Sequence, residues 1–149
     1  MPKGPLARDR PDDRRPPDFE FCVHGRPMSA RARNRPLLAQ WRQQVRTAAR
    51  AAWPANQPPY ELAVKLRITH YTTRPIADMD NLIKPIQDEL QGVAYMNDRM
   101  VQDVSGNWRD IDAPFRVRYI ARPLAEAFSD GRPFVHVRLW LALDEEDLG

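Results

Sequence analysis

Alternating apolar and polar residues mark several stretches of the chain as strands with one buried face. The clearest is 61–70, where every second residue from Leu62 to Ile68 is a large apolar residue, with Ala63, Lys65 and Arg67 between them. The same alternation, bounded by glycine and proline, predicts further strands at 19–24, 100–108, 115–121 and 134–143. Gly106 suggests a bulge or turn inside one of them.

A period of 3.6 residues marks three helices. The first covers 37–53 and ends at Pro54, the second covers 81–91, and the third is a short helix at 123–130. The resulting order is strand, helix, strand, helix, two strands, short helix, strand. It predicts an α+β (mixed α/β) domain, in which two main helices pack on a small mixed β-sheet.

Pro85 conflicts with the second helix, because proline is tolerated in a first turn and costly later. We therefore expect the regular helix to begin near Leu82. Asp78 and Asp80 then lie just before its N-terminus.

The composition is that of one globular domain of 149 residues, rich in proline and arginine, with a formal net charge of +3. We divide the chain into a flexible Pro/Arg-rich tail at 1–18, a folded domain at 19–144 and an acidic end at 145–149. The single cysteine, Cys22, excludes an internal disulfide and lies in an apolar run. No apolar stretch is long enough to cross a bilayer, so a cytoplasmic protein is expected.

The candidate catalytic residues cluster at the N-terminus of the second helix. Asp98 returns there after a short connection, and three carboxylates brought together repel unless a proton or cation neutralises them. Hard oxygen ligands suit Mg²⁺ or Mn²⁺. Lys84, one turn into the helix, could stabilise a developing negative charge. Together with Asp78 and Asp80 these are the parts of metal-assisted phosphodiester hydrolysis.

Each part also has a plainer explanation. An Asp-x-Asp pair before a helix is commonly a cap with a favourable dipole contact. Lys84 has the spacing to pair with Asp88, and Asp98 follows Asn97 as a turn residue would. His70, at the end of a predicted strand, could be a metal ligand, although a lone histidine is more often a packed residue.

The combination is more specific than its parts. D-x-D-N-L-x-K-P-x-x-D-x-L followed by N-D-x-x-V-x-D, over 78–103, resembles the RusA-like Holliday junction resolvases, which are crossover junction endodeoxyribonucleases. The resemblance implies a small α/β fold, a homodimer, and paired nicks in four-way DNA junctions during recombination and repair. It also implies Mg²⁺ as the cofactor, with Mn²⁺ as a substitute.

The resemblance implies roles for individual residues by position. Asp78, Asp80 and Asp98 would bind the metal, and Lys84 would be catalytic. Outside that set, Asp103 would act indirectly by supporting the residues that hold the metal, whereas Asn81 and Asp88 would have structural roles. The tail at 1–18 and additional residues at 108–132 depart from the compact family pattern.

A second feature is a block of arginines without any acidic residue. The segment 25–60 contains seven arginines and neither aspartate nor glutamate, so it should repel itself unless an anion lies nearby. Phosphate is the natural candidate, and we predict that this block and Arg74 bind DNA. The predicted DNA-binding residues are Arg26, Arg31, Arg33, Arg35, Arg42, Arg46 and Arg74.

Other functions remain open from the sequence. The chain could be a catalytically silent module that binds junctions, or a metal-dependent flap or single-strand nuclease. A nucleotide-sugar transferase could also use Asp-x-Asp for its metal, but a small substrate does not need seven arginines spread over a loop and a helix.

Overall fold

The computed structural model describes residues 15–74, 78–112 and 121–142. The strands in these ranges are β1 (Phe19–His24), β2 (Val64–Thr72), β3 (Val101–Asp110) and β4 (Phe134–Leu141). The helices are α1 (Arg35–Ala52), α2 (Met79–Glu89) and α3 (Arg122–Asp130), and one 3-10 turn spans Asp98–Met100. The predicted tail up to residue 14, the strand at 115–120 and the acidic end lie outside the described residues.

The strands form one mixed sheet in the order β1-β4-β2-β3. β2 and β3 are parallel, and β4 runs antiparallel to both β1 and β2. Four strands and three helices in the described part of the chain confirm the predicted α+β architecture. None of the helices in this part is long and apolar enough to cross a membrane.

One face of the sheet carries the main core. Phe21 on β1 and Val137 on β4 lie on this face, which packs against Trp41 and Val45 of α1 and Ile86 of α2. The predicted apolar faces of both helices are therefore the buried ones. The helix α3 packs elsewhere, where its apolar side meets an aromatic cluster.

One asparagine and one glycine explain how the helices are positioned on the sheet. The Asn34 side chain accepts a hydrogen bond from the Leu37 amide at 3.1 Å and starts α1 two residues before the predicted position. Gly106 makes no bulge, because the strand register shifts only between Val64 and Lys65. A Cβ at Gly106 would lie 2.8 Å from Ile83 Cδ1, so glycine is needed for the close approach of α2.

The predicted bounds of β2 are wrong at both ends. Leu62 is 56% exposed and precedes the strand, which begins at Val64. At the other end Tyr71 and Thr72, which lie beyond the predicted end at 70, continue the strand and pair with Arg109 and Asp110 of β3. Alternation cannot reveal this extension, since Thr69 to Thr72 are all buried and all but Thr72 have a paired strand on both sides.

Candidate active site at the start of helix α2

The helix α2 begins at Met79, three residues before the expected start near Leu82. Asp78 is its N-cap residue but makes no side-chain cap bond, and Asp80 lies in the first turn. The Asn81 side-chain amide donates to Asp78 Oδ2 at 2.6 Å. Asn81 thus holds one oxygen of Asp78, while both carboxylates remain exposed.

The earlier start places Pro85 inside the helix, where it leaves a backbone carbonyl without its usual donor. In a regular helix the amide at 85 would donate to the Asn81 carbonyl, and proline has no N–H. The Ala30 amide takes that place and donates to the Asn81 oxygen at 2.9 Å. This bond fixes the arginine-rich loop after β1 directly against the first turn of α2.

The loop is held by its own arginine as well. The Arg35 guanidinium donates to the carbonyls of Ala30 and Ala32 at 3.4 and 3.2 Å. Arg26, Arg31 and Arg33 are exposed on the same loop. The fold therefore brings a positively charged surface beside the acidic start of α2, a juxtaposition that the sequence could suggest only through the family resemblance.

Lys84 lies between two carboxylates. Its Nζ is 3.0 Å from Asp88 Oδ1 and 3.7 Å from Asp98 Oδ2. The hydrogen bond to Asp88, with smaller contributions from the charges of Asp88 and Asp98, raises the pKa of Lys84 above its ordinary value. Lys84 is thus a cation at neutral pH, and its predicted pairing with Asp88 is present.

Asp98 reaches this cluster because the loop after α2 folds back onto the helix. The Asn97 side chain accepts from the Arg99 amide at 3.0 Å and starts the 3-10 turn. The Asp98 amide donates to Gln91 Oε1 at 3.1 Å, and Gln91 Nε2 donates to the Asp88 carbonyl at 3.5 Å. Sequence reasoning missed Gln91, because a glutamine at a helix end carries no signal of such a bridge.

The remaining predicted residues belong to other elements. Asp103 is in register with Lys65, and strand alternation places it on the opposite face of β3 from Gly106, which contacts α2. Arg74 is exposed just after β2, and its backbone amide donates to Thr72 Oγ1. His70 is 3% exposed, and burial lowers its pKa to about 4.

The carboxylates suit a hard divalent cation in type but do not converge on one point. Among the described residues, no three aspartate, glutamate, histidine or cysteine side chains are close enough together to hold a metal. Asp78 is engaged by Asn81, and Asp98 faces the Lys84 ammonium. The observed contacts define a lysine-centred cluster rather than a formed metal site.

Two arginines in the middle of α1 have protein partners that the sequence did not reveal. Arg42 Nε donates to Glu89 Oε2 of α2 at 2.7 Å. Arg46 Nη1 lies 3.6 Å from Glu89 Oε1 and donates to the carbonyls of Glu89 and Gln91 at the end of α2. The anion that accompanies these two arginines is therefore a glutamate 47 and 43 residues away in sequence.

An α+β domain that combines exposed carboxylates and a lysine with an adjacent basic loop has the features of a protein that cleaves nucleic-acid phosphodiesters. Residues 21–139 match the family model Endodeoxyribonuclease RusA. The match covers most of the chain, and the chain belongs to the RusA endodeoxyribonuclease family. It is thus a hydrolase acting on DNA, in a family of Holliday junction resolvases. No curated protein matches the chain.

Proposed function

We propose that this enzyme resolves four-way DNA junctions by paired nicks in a divalent-metal-dependent reaction at the start of α2. The observation that carries the proposal is the Ala30–Asn81 hydrogen bond, because it joins the basic loop to the acidic helix start. A DNA strand bound to the loop arginines would have its phosphates beside Lys84 and the carboxylates.

Lys84 is proposed as the catalytic cation. Hydrolysis of a phosphodiester builds negative charge on the phosphoryl oxygens and on the leaving oxygen, and a fixed cation beside them stabilises that charge more than it stabilises the ground state. Asp88 orients the ammonium through the 3.0 Å contact. Asp88 therefore acts through Lys84 and does not need to touch DNA.

Asp78, Asp80 and Asp98 are proposed as the ligands of Mg²⁺, with Mn²⁺ able to substitute. The support is their oxygen chemistry, the 3.7 Å contact of Asp98 with Lys84, the place of Asp80 four residues before Lys84 on α2, and the family match. A bound divalent ion would supply positive charge and an acidified water. Asp103, on the other face of β3, is proposed only as an indirect contributor to this group.

The DNA backbone is proposed to follow the exposed arginines of the loop, Arg26, Arg31, Arg33 and Arg35, with Arg74 nearby in sequence to Asp78. Such contacts position the duplex without reading its bases. Two coordinated nicks require two active sites, so we propose a two-fold homodimer that presents one helix α2 to each of two symmetric strands.

Cleavage of a synthetic immobile junction tests this function. Wild type and Asp80→Asn would be assayed on the junction, a matched linear duplex and a flap, each with Mg²⁺, Mn²⁺ or EDTA. We expect paired, metal-dependent nicks on the junction that Asp80→Asn reduces by at least about 100-fold, comparable to loss of one charge-stabilising group. Isothermal titration of Mn²⁺ should show weaker binding to the variant.

Other outcomes would replace the proposal. Junction binding without cleavage under either metal would indicate a silent binding module. Preferential cleavage of the flap would indicate a flap nuclease that uses the same residues. Equal cleavage by Asp80→Asn and wild type would remove the start of α2 from the reaction.

A further inference from the structure

A cleft of about 450 Å³ lies between α1 and the end of α2, separate from the Lys84 cluster. Its lining combines two arginines, one glutamate and one glutamine with two apolar residues of α1. The lining residues are Arg35, Leu38, Ala39, Arg42, Gln43 and Glu89. The lining therefore carries a net positive charge and several hydrogen-bond donors.

The protein contacts of Arg42 use one side of its guanidinium group. Glu89 accepts from Nε, the nitrogen on the stem side of the guanidinium. Within the described residues the two terminal nitrogens of Arg42 donate no hydrogen bond. Glu89 is only 15% exposed and is also held by Arg46, so it is a fixed support and not a mobile surface group.

Fixing the Nε side of an arginine prepares its terminal nitrogens for an anion. A free arginine loses rotamer freedom when it binds, and a side chain already held in place loses less. Planar guanidinium groups recognise phosphate oxygens through pairs of parallel N–H donors. Arg35 lies two helical turns from Arg42 on the same side of α1, so both can serve one DNA strand.

We propose that this cleft is a binding site for DNA backbone phosphates, and that Glu89 is the positioning residue that orients Arg42 within it. The inference rests on the proposed action on branched DNA but concerns binding alone. This role is opposite to the one that the charge of Glu89 suggests. The glutamate repels a phosphate directly, yet by orienting Arg42 it strengthens the binding of phosphate by that arginine.

Two substitutions of Glu89 separate orientation from charge. Glu89→Gln and Glu89→Ala both remove the negative charge, but only glutamine keeps an oxygen that can accept from Arg42 Nε. Affinity for a labelled four-way junction would be measured by fluorescence anisotropy in EDTA at fixed ionic strength. We expect Glu89→Ala to bind about two- to tenfold more weakly than Glu89→Gln, the cost of ordering one arginine side chain.

The difference must pass through Arg42. In an Arg42→Ala background, the glutamine and alanine variants should bind with equal affinity. Equal affinity of the two variants in the presence of Arg42 would overturn the proposal, and so would an unchanged ratio in its absence. A shift of the thermal unfolding midpoint without any difference in affinity would show that Glu89 only stabilises the fold.

Glu126 provides the matched control, because it pairs with Arg122 on the exposed side of α3. Glu126→Gln and Glu126→Ala should bind the junction alike. The assay needs no cleavage, so a wild-type enzyme that fails to cut junctions would refute the proposed activity and still report on the cleft. A wild type that binds no DNA at all would refute both.

Discussion

The two ends of α2 satisfy their charges in different ways. At the start, Asp78 and Asp80 are exposed and Lys84 is 56% exposed between two carboxylates. At the end, Glu89 is largely shielded and two arginines hold it, one of which also binds the last helical carbonyls. The end sets two arginines against one glutamate and anchors the helix, whereas the start has an excess of carboxylates open to solvent, which can recruit cations.

The largest expected effect comes from comparing one substitution at the start of α2 with one substitution that affects its end. Lys84→Ala should lower junction cleavage by about 100- to 1000-fold, with little change in stability because its ion pairs are exposed. Arg46→Ala should lower the free energy of unfolding by roughly 1–2 kcal/mol, because the end of α2 loses a charged donor to its carbonyls.

Cleavage rates at saturating DNA and urea unfolding curves would check both substitutions. Arg50→Ala, a change of an exposed arginine one helical turn further along α1, is the control for Arg46→Ala. If Lys84→Ala unfolds the protein and Arg46→Ala leaves its stability unchanged, the assignment of catalysis to the start of α2 and of helix anchoring to Arg46 is wrong.

Acid should destabilise the protein through His70, which is buried on β2, the strand that precedes α2. Burial lowers the pKa of His70 to about 4, so between its unfolded value near 6.5 and pH 4 the unfolded chain binds more protons than the folded one. Stability is therefore complete above about pH 6.5 and falls as the pH drops through that window, by at most roughly 3 kcal/mol.

Urea midpoints at pH 7 and pH 4.5 measure this loss. His70→Gln should be less stable at pH 7 but should lose less stability between the two pH values than wild type. Since burial also lowers the pKa of His136, His136→Gln is the necessary comparison. An identical pH dependence in wild type and His70→Gln would contradict the role of His70.

The smallest expected effect concerns the loop at the start of α2. Pro85→Ala restores an amide that can donate to Asn81 O and therefore competes with the Ala30 amide. We expect several-fold faster hydrogen exchange at Ala30 and slightly weaker junction binding, with unchanged or higher stability. Pro123→Ala, in the first turn of α3, should leave exchange at Ala30 unaltered.

Local patterns in the sequence predicted what local physics determines. The strand β1 begins and ends where alternation placed it, and the Lys84–Asp88 pair follows from helical spacing. The pairing of Glu89 with Arg42 could not be predicted, because it joins two helices whose relative orientation depends on the whole core. The same holds for the bridge from Gln91 to Asp98.

The predicted start of α2 near Leu82 is wrong for a related reason. Proline rules taken alone shift the helix start toward Pro85, because they count an unpaired carbonyl as a cost. The structure offsets that cost with an amide from a loop 51 residues away in sequence. The conflict noticed at Pro85 was therefore the mark of a tertiary contact, which no rule of local propensity contains.

The bond from Ala30 to Asn81 has a consequence for sequence tolerance. Its donor is a main-chain amide, so the contact places no demand on the side chain at position 30 and forbids only proline there. A saturation library at this position should therefore accept most amino acids of similar size and reject the imino acid. Related chains with this helix can therefore vary in the amino acid at this loop position while the loop amide still donates to the same helix carbonyl.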